Sequence, residues 1–170
     1  MNPMRQIRLE KVTLNMGAGD SPKKLESSQK VLEILTGKKV VVTKTKRRTT
    51  FGMAKGKTIG VKVTLRKREA ELFLKKLMSA IEKKIHPSQF DSQGNFSFGI
   101  HEYIHIPGAT YDPDIGILGF DVAVTMERPG FRVKQRRMKR ARVGKTHRIT
   151  KEEAMAWAQE FGFEMVKEEE

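Results

Sequence analysis

Hydrophobic and polar positions alternate along this chain in a way that predicts its elements. Ile7 and Leu9, then Val12, Leu14 and Met16, alternate with polar residues, so the spacing predicts a strand over 7–16 whose phase slips once near Lys11, as a bulge would make it do. Gly17-Ala18-Gly19-Asp20 predicts a turn. Ser21 as cap and Pro22 at the first helical position open a helix with Leu25, Leu32 and Leu35 inward, which Gly37 ends. Val40 to Lys46 is β-rich. Ile59, Val61, Val63 and Leu65 alternate with Gly60, Lys62, Thr64 and Arg66, predicting a strand with one buried and one cationic face. Ala70, Phe73, Leu74, Leu77, Met78, Ile81 and Ile85 form one stripe of a helix from about Lys67 to His86, stopped by Pro87. Strands over 95–106 and 119–126 flank a Gly, Pro and Asp-rich connection at 107–116. Thr150-Lys151-Glu152-Glu153 is a capping box opening a last helix with Ala154, Trp157, Ala158 and Phe161 inward, and the terminal KEEE reads as a solvated tail.

Strands at 40–46 and 59–66 joined without a helix require antiparallel pairing there. The expected class is α+β, a single domain over residues 1–170 with a largely antiparallel, mixed sheet and helices packed on one face. The open face is then available to a ligand. A basic tip loop at 47–58 and a basic excursion at 128–149 before the last helix complete this organisation.

Charge sharpens that expectation. Of 170 residues, 34 are Lys or Arg and 20 are Asp or Glu, a formal net charge of +14. Ile34 to Arg68 holds twelve cations and Arg128 to Lys151 eleven, and neither segment contains an acid. The rest of the chain has 11 basic and 20 acidic residues, so the positive charge sits on two surfaces of an acidic body. Long polyanions select such segregation, because neutralising many phosphates releases condensed counterions. In the first block, Lys62, Thr64 and Arg66 lie beside a strand ending in Lys44, Lys46, Arg47 and Arg48, which lays phosphate and ribose donors on one surface. Phe51, in the intervening loop, is placed to stack on a base. The second block has no core of its own and is expected to be mobile until it binds. Without cysteine the chain has no disulfides or thiolate metal ligands. No apolar run reaches the roughly 20 residues that span a bilayer, and MNPMRQIRLEK lacks the apolar core of a signal peptide, so a soluble, intracellular protein is expected.

Three enzyme-like spellings fail on context. His101-Glu102-Tyr103-Ile104-His105 matches the zinc-protease H-E-x-x-H, but in the extended strand expected here the imidazoles would stand about 13 Å apart at ~3.3 Å per residue. A zinc hydrolase at His101 and His105, or a general basic nucleic-acid binder, remains the alternative function. Gly52-Met53-Ala54-Lys55-Gly56-Lys57-Thr58 resembles a phosphate-binding loop with one residue too few between its glycines, and a strand follows it instead of a helix. Gly17-Ala18-Gly19 lacks the third glycine and the ribose-binding acid of a dinucleotide site. No metal, cofactor or catalytic set is expected.

Longer strings carry a resemblance over nearly the whole chain. They are Leu9-Glu10-Lys11-Val12 with Asn15-Met16-Gly17, Leu35-Thr36-Gly37, Val42-Thr43-Lys44, Ile59-Gly60, and Lys62-Val63-Thr64-Leu65-Arg66. Further on stand Gly94-Asn95-Phe96-Ser97-Phe98-Gly99, Tyr111-Asp112-Pro113, Gly119-Phe120-Asp121, Arg128-Pro129-Gly130-Phe131 and His147-Arg148-Ile149 with Lys151-Glu152-Glu153-Ala154. The sequence resembles the large-subunit ribosomal protein five family, the 5S rRNA binder, in its archaeal and eukaryotic form. That resemblance implies a structural, non-enzymatic protein of the central protuberance, cytoplasmic and within the large subunit. The partners it implies are 5S rRNA, P-site tRNA, large-subunit rRNA with neighbouring central-protuberance proteins, and a small-subunit head protein across the subunit bridge; no membrane is implied. Carried over by position, Asn15, Lys38, Lys44, Lys46, Arg47, Arg48, Phe51, Lys62, Thr64 and Arg66 would meet rRNA, and the loop Gly52, Met53, Ala54, Lys55, Gly56, Lys57, Thr58 would face tRNA. Lys38 stands where many relatives have glutamine, and Thr58 where many have proline.

Overall fold

The computed structural model describes residues 2–19, 21–48, 50 and 52–166. Phe51 and the terminal KEEE lie outside the described residues. Strand β1 (Arg8–Gly17) buries Leu9, Val12, Leu14 and Met16, so the slip in phase falls between Leu9 and Val12. Helix α1 (Pro22–Thr36) starts on Ser21, whose hydroxyl accepts the Lys24 N–H at 3.4 Å, and ends on Gly37 at φ 63°, a left-handed cap that glycine adopts without a Cβ penalty. Its buried residues are Ser28, Val31 and Leu32, while Leu25 and Leu35 are only half-buried. Strands β2 (Val41–Lys44) and β3 (Thr58–Arg66) pair antiparallel as expected.

Helix α2 (Lys67–Ala80) buries Ala70, Phe73, Leu74, Leu77 and Met78. It is shorter than its apolar stripe predicts. Glu82 and Lys83 both take left-handed backbone, at φ 52° and 62°, and the Lys83 N–H closes the helix on the Met78 carbonyl at 2.9 Å. Ile85 is nonetheless fully buried, because Lys84–Ile85 leaves the helix as strand β4 and pairs in parallel with β7 (Glu164–Met165). Strand pairing with a segment about 80 residues away thus competes successfully with the helical stripe, at a cost of roughly 1 kcal/mol for each left-handed non-glycine residue.

The expected strand over 95–106 also divides. Strand β5 (Phe96–Ile100) keeps the period of two, burying Phe96, Phe98 and Ile100. Beyond it, Tyr103 and Ile106 are buried three residues apart, the period of the 3₁₀ turn Tyr103–His105. The Tyr103 hydroxyl accepts the Asp112 N–H at 3.2 Å, so the turn fastens the start of the following connection. Strand β6 (Phe120–Glu127) buries Phe120, Val122, Val124 and Met126. After the short helix α3 (Arg132–Gln135), helix α4 (Lys151–Phe161) begins with the predicted capping box of Thr150 and Glu153. Ala154 and Ala158 are its buried positions; Trp157 and Phe161 are half-buried and stack at 4.9 Å between ring centroids.

The order of strands in the main sheet is β2-β3-β1-β6-β5, which with the helices confirms the α+β class. The chain forms two compact units, one of Met1–Val12, Arg66–Phe98 and Ala123–Glu170, the other of Thr13–Leu65 and Gly99–Val122. In the first, the Phe90, Phe96, Phe98, Phe161 and Phe163 rings pack at centroid separations between 5.0 and 6.5 Å. In the second, Leu14 and Met16 of β1 are buried together with Val31, Leu32, Val61, Val63 and Leu65. Each fully buried aliphatic side chain of this kind contributes about 1.5–3 kcal/mol.

Candidate nucleic-acid interface

The register of β2 and β3 decides which side chains share a face. Val41 opposes Lys62, Val42 opposes Val61 and Thr43 opposes Gly60, after which an irregularity between Thr43 and Lys44 sets Lys44 against Thr58. Directly opposed residues project to the same side. One side therefore carries Val41, Lys62, Thr43 and the Gly60 position, with Thr64 continuing it by the two-residue alternation. Lys62 and Val41 are exposed and Thr43 and Thr64 half-buried, whereas Val61, Val63 and Leu65 on the other side are buried. Asn15 on β1 is also exposed.

Gly60 explains how closely the backbones approach here. A Cβ at this position would lie 2.6 Å from the Met16 carbonyl oxygen and 3.2 Å from Thr43 Oγ1. The Ile59 carbonyl meanwhile accepts the N–H groups of Ala18 (2.9 Å) and Gly19 (3.1 Å), tying the end of β1 to β3. A glycine inside an alternating strand signals such an approach. It was legible in the sequence, although it is a structural support and not an RNA donor.

Lys44, Lys46, Arg47, Arg48, Lys55 and Lys57 are all exposed, and Met53 is half-buried. Among the described residues no carboxylate lies within ion-pair distance of Lys44, Lys46, Arg47, Arg48 or Lys62. Thr45 organises the base of the loop. Its N–H donates to the Lys57 carbonyl at 2.8 Å and its hydroxyl to the Ala54 carbonyl at 2.6 Å, while Oγ1 accepts the Lys57 N–H at 3.0 Å and its carbonyl accepts the Gly56 N–H at 3.0 Å. Gly52 and Gly56, at φ 85° and 87°, turn the chain on either side of Met53, Ala54 and Lys55. Sequence reasoning passed over Thr45, because a threonine in a cationic run carries no distinguishing signal. Lys38 follows the α1 cap, its N–H donating to Thr36 Oγ1 at 3.3 Å, and is half-buried.

Arg66 belongs to the other compact unit and has a carboxylate beside it. Its guanidinium stands 3.6 Å from Glu10, which also lies 3.3 Å from Lys11 and accepts a hydrogen bond from the Gln135 amide at 2.9 Å. Burial lifts the nearby Glu127 carboxyl above its ordinary range, with the Glu10 charge adding to the effect and Arg66, Arg8 and Lys11 opposing it. Arg66 thus faces a local balance of signs, unlike Lys62 and Lys44.

In the second basic block, Arg128 departs from the cationic surface altogether. It is 5% exposed; one terminal nitrogen donates to the Arg148 carbonyl at 3.1 Å and the other to Glu153 at 2.7 Å. The Thr150 N–H, and after it Arg128, hold the Glu153 carboxyl below its ordinary range. Arg128 therefore fastens α4 to the segment before it, while Arg132 and the cations from Lys134 to Lys145 remain exposed.

The H-E-x-x-H spelling adopts neither the helix its chemistry needs nor the extended strand the sequence predicts: His101 lies at a bend, His105 in the 3₁₀ turn, 3.9 Å from Glu102. Among the described residues no group of three or more His, Cys, Asp or Glu side chains is arranged to hold a metal ion. None of the described helices is long and apolar enough to cross a membrane.

Exposed cations at the end of β2, on β3 and in the loop between them give this α+β chain a surface whose charge suits a polyanion. Residues 2–50 match the family described as ribosomal protein L5, and residues 58–157 match the family described as the C-terminus of that same ribosomal protein. The large ribosomal subunit protein uL5 of Sulfurisphaera tokodaii is 54% identical over 91% of this chain and 89% of its own length. That of Nanoarchaeum equitans is 52% identical over 94% of this chain and 95% of its own, and that of Methanococcus maripaludis strain C7 is 46% identical over 98% and 94%. The chain belongs to the uL5 family of large-subunit ribosomal proteins, which is structural and not enzymatic.

Proposed function

We propose that this protein binds 5S rRNA through the β2 and β3 surface and attaches it to the large subunit in the central protuberance. The observation that carries this reading is that Lys62, on the strand side it shares with Thr64, and Lys44, Lys46 and Arg47, at the end of β2 and in the loop after it, are all exposed with no carboxylate in ion-pair distance among the described residues. Donors carried on strands lose little backbone freedom on binding, and A-form RNA offers phosphates and 2′-hydroxyls to match them. Arg48 and Lys38 extend the same rRNA surface, and Phe51 is assigned a base-stacking role in it. Arg66, in the other compact unit, is also assigned to rRNA, and there the Glu10 carboxylate competes with phosphate.

The loop from Gly52 through Met53, Ala54, Lys55, Gly56 and Lys57 to Thr58 contacts P-site tRNA. Its Thr45-clamped base and glycine turns support this, since they project two lysines on a short, exposed excursion. Neighbouring central-protuberance proteins, large-subunit rRNA and a small-subunit head protein are the further partners, in the cytoplasm. The test is 5S rRNA affinity as a function of salt. Six neutralised phosphates give a slope of log affinity against log salt of about −5. Salt-independent binding, or equal affinity for an unrelated RNA of the same length, overturns the proposal.

A further inference from the structure

The segment following Arg128 has almost no buried apolar side chain, yet it is folded back on itself by its own arginines. Arg136 Nε donates to the Lys139 carbonyl at 2.8 Å, Arg140 Nε to the Lys134 carbonyl and Arg148 Nε to the Val143 carbonyl at 3.3 Å. The buried Arg128 holds the Arg148 carbonyl from the other side, and the Ala141 N–H donates to the Val133 carbonyl at 3.2 Å. A guanidinium has five donors. Tethering Nε to a carbonyl therefore fixes the plane of each arginine and leaves its terminal donors available. The result is a cavity of about 480 Å³ with Lys134, Arg140, Arg142 and Arg148 around it and Ala141 and Val143 contributing apolar wall.

That combination differs from the strand face. A flat cationic surface offers no enclosure, whereas this cavity lies within the ~300–1,000 Å³ range of small-ligand sites and pairs fixed guanidinium planes with aliphatic wall. Gln93 completes the lining, and none of the lining residues is acidic. We propose that the 134–148 segment is a preformed pocket for one unpaired nucleotide of an RNA strand. Its base and ribose lie against Ala141, Val143 and an arginine plane, and the flanking phosphates rest on Lys134, Arg140, Arg142 and Arg148. Duplex RNA keeps its bases stacked inside and cannot fill the cavity. The pocket is separate from the β2 and β3 surface and does not depend on its assignment.

The test uses the full chain and fluorescence anisotropy with three probes: a short single-stranded oligouridylate, a blunt RNA duplex and a polyglutamate peptide. Ala141→Trp fills the cavity without altering charge at an exposed position, and Arg142→Ala is the second variant, since the carbonyl tethers described above are made by Arg136, Arg140 and Arg148. Both are checked for unaltered circular dichroism. For Ala141→Trp, affinity for the single strand is expected to fall ~10-fold, the scale of one lost base-stacking contact, while duplex affinity stays the same. Arg142→Ala is expected to weaken the single strand more than the duplex. Single-strand affinity unchanged by Ala141→Trp, equal losses for strand and duplex, competition by free uridine monophosphate as strong as by the strand, or polyglutamate binding as tight as RNA would each overturn the pocket. Lys44→Ala/Lys62→Ala serves as the separating control: loss of 5S rRNA binding concerns the strand face, and single-strand binding at the pocket is expected to survive it.

Discussion

Removal of the Glu153 carboxylate is the perturbation whose consequence the structure fixes most closely. The Arg128 side chain is 6% exposed and that of Glu153 43%, so Glu153→Ala leaves a nearly dry guanidinium facing water at one end only. Breaking a fully buried pair costs about 3–5 kcal/mol, and the exposure of the carboxylate reduces this to about 2 kcal/mol. Loss of the bond from the Thr150 N–H to the Glu153 carboxylate, one half of the capping box, adds up to about 1 kcal/mol, for a total near 3 kcal/mol. In a chain of this size that lowers Tm by about 6–12 °C. Arg128→Met removes the charge together with the Nε that has no hydrogen-bond partner, and is expected to cost less, about 1 kcal/mol. Urea unfolding of both variants and of Arg128→Met/Glu153→Ala, at neutral pH and near pH 3, is the assay. Because Glu153 is held below its ordinary range, its contribution is complete above the unfolded carboxylate value of about 4.3 and disappears as pH falls through the folded value. The difference between wild type and Glu153→Ala is therefore expected to shrink in acid. A pH-independent difference, or Arg128→Met costing more than Glu153→Ala, refutes the assignment of a buried cation held by this carboxylate.

Other outcomes follow from the same geometry. Gly60→Ala sets a methyl against the Met16 carbonyl and is expected to destabilise by about 1–3 kcal/mol in urea unfolding, with amide exchange at Ala18 and Gly19 accelerating first. Thr45→Val removes the hydroxyl clamp, and faster exchange of the Lys57 and Gly56 amides is expected with a global stability loss of about 1 kcal/mol or less. Glu127→Gln is expected to raise Tm at neutral pH, since burial penalises the charge, and the gain is expected to vanish as pH falls and the wild-type carboxyl protonates. Lys55→Ala/Lys57→Ala is expected to weaken tRNA retention on reconstituted subunits while leaving 5S rRNA affinity unchanged.

What the sequence revealed and what it hid divide along physical lines. Local periodicity and caps were enough for β1, β3, α1 and the start of α4, because Ser21, Gly37, Thr150 and Glu153 act within one helical turn. The end of α2 was hidden, since the backbone turn at Glu82 and Lys83 is stabilised by pairing with Glu164–Met165, a contact no local window contains. The change of period after Ile100 was present in Tyr103 and Ile106, but the β-rich composition around them masked it. In the first basic block, charge and alternation sufficed to expect the exposure of Lys44 and Lys62 and the place of Thr64 on the same strand as Lys62. They did not separate Arg66, which meets Glu10 of the neighbouring strand β1, distant in sequence, nor Arg128, which a run of cations made look like surface.

The most direct measurement of the central claim is the 5S rRNA affinity of Lys44→Ala/Arg47→Ala/Lys62→Ala beside wild type, with circular dichroism and Tm recorded for both. All three side chains are exposed, so unchanged folding is expected, together with an affinity loss of about 100-fold or more at near-physiological salt and a salt slope shallower by about 2–3. A triple variant that binds 5S rRNA as tightly as wild type would contradict the assignment of this face.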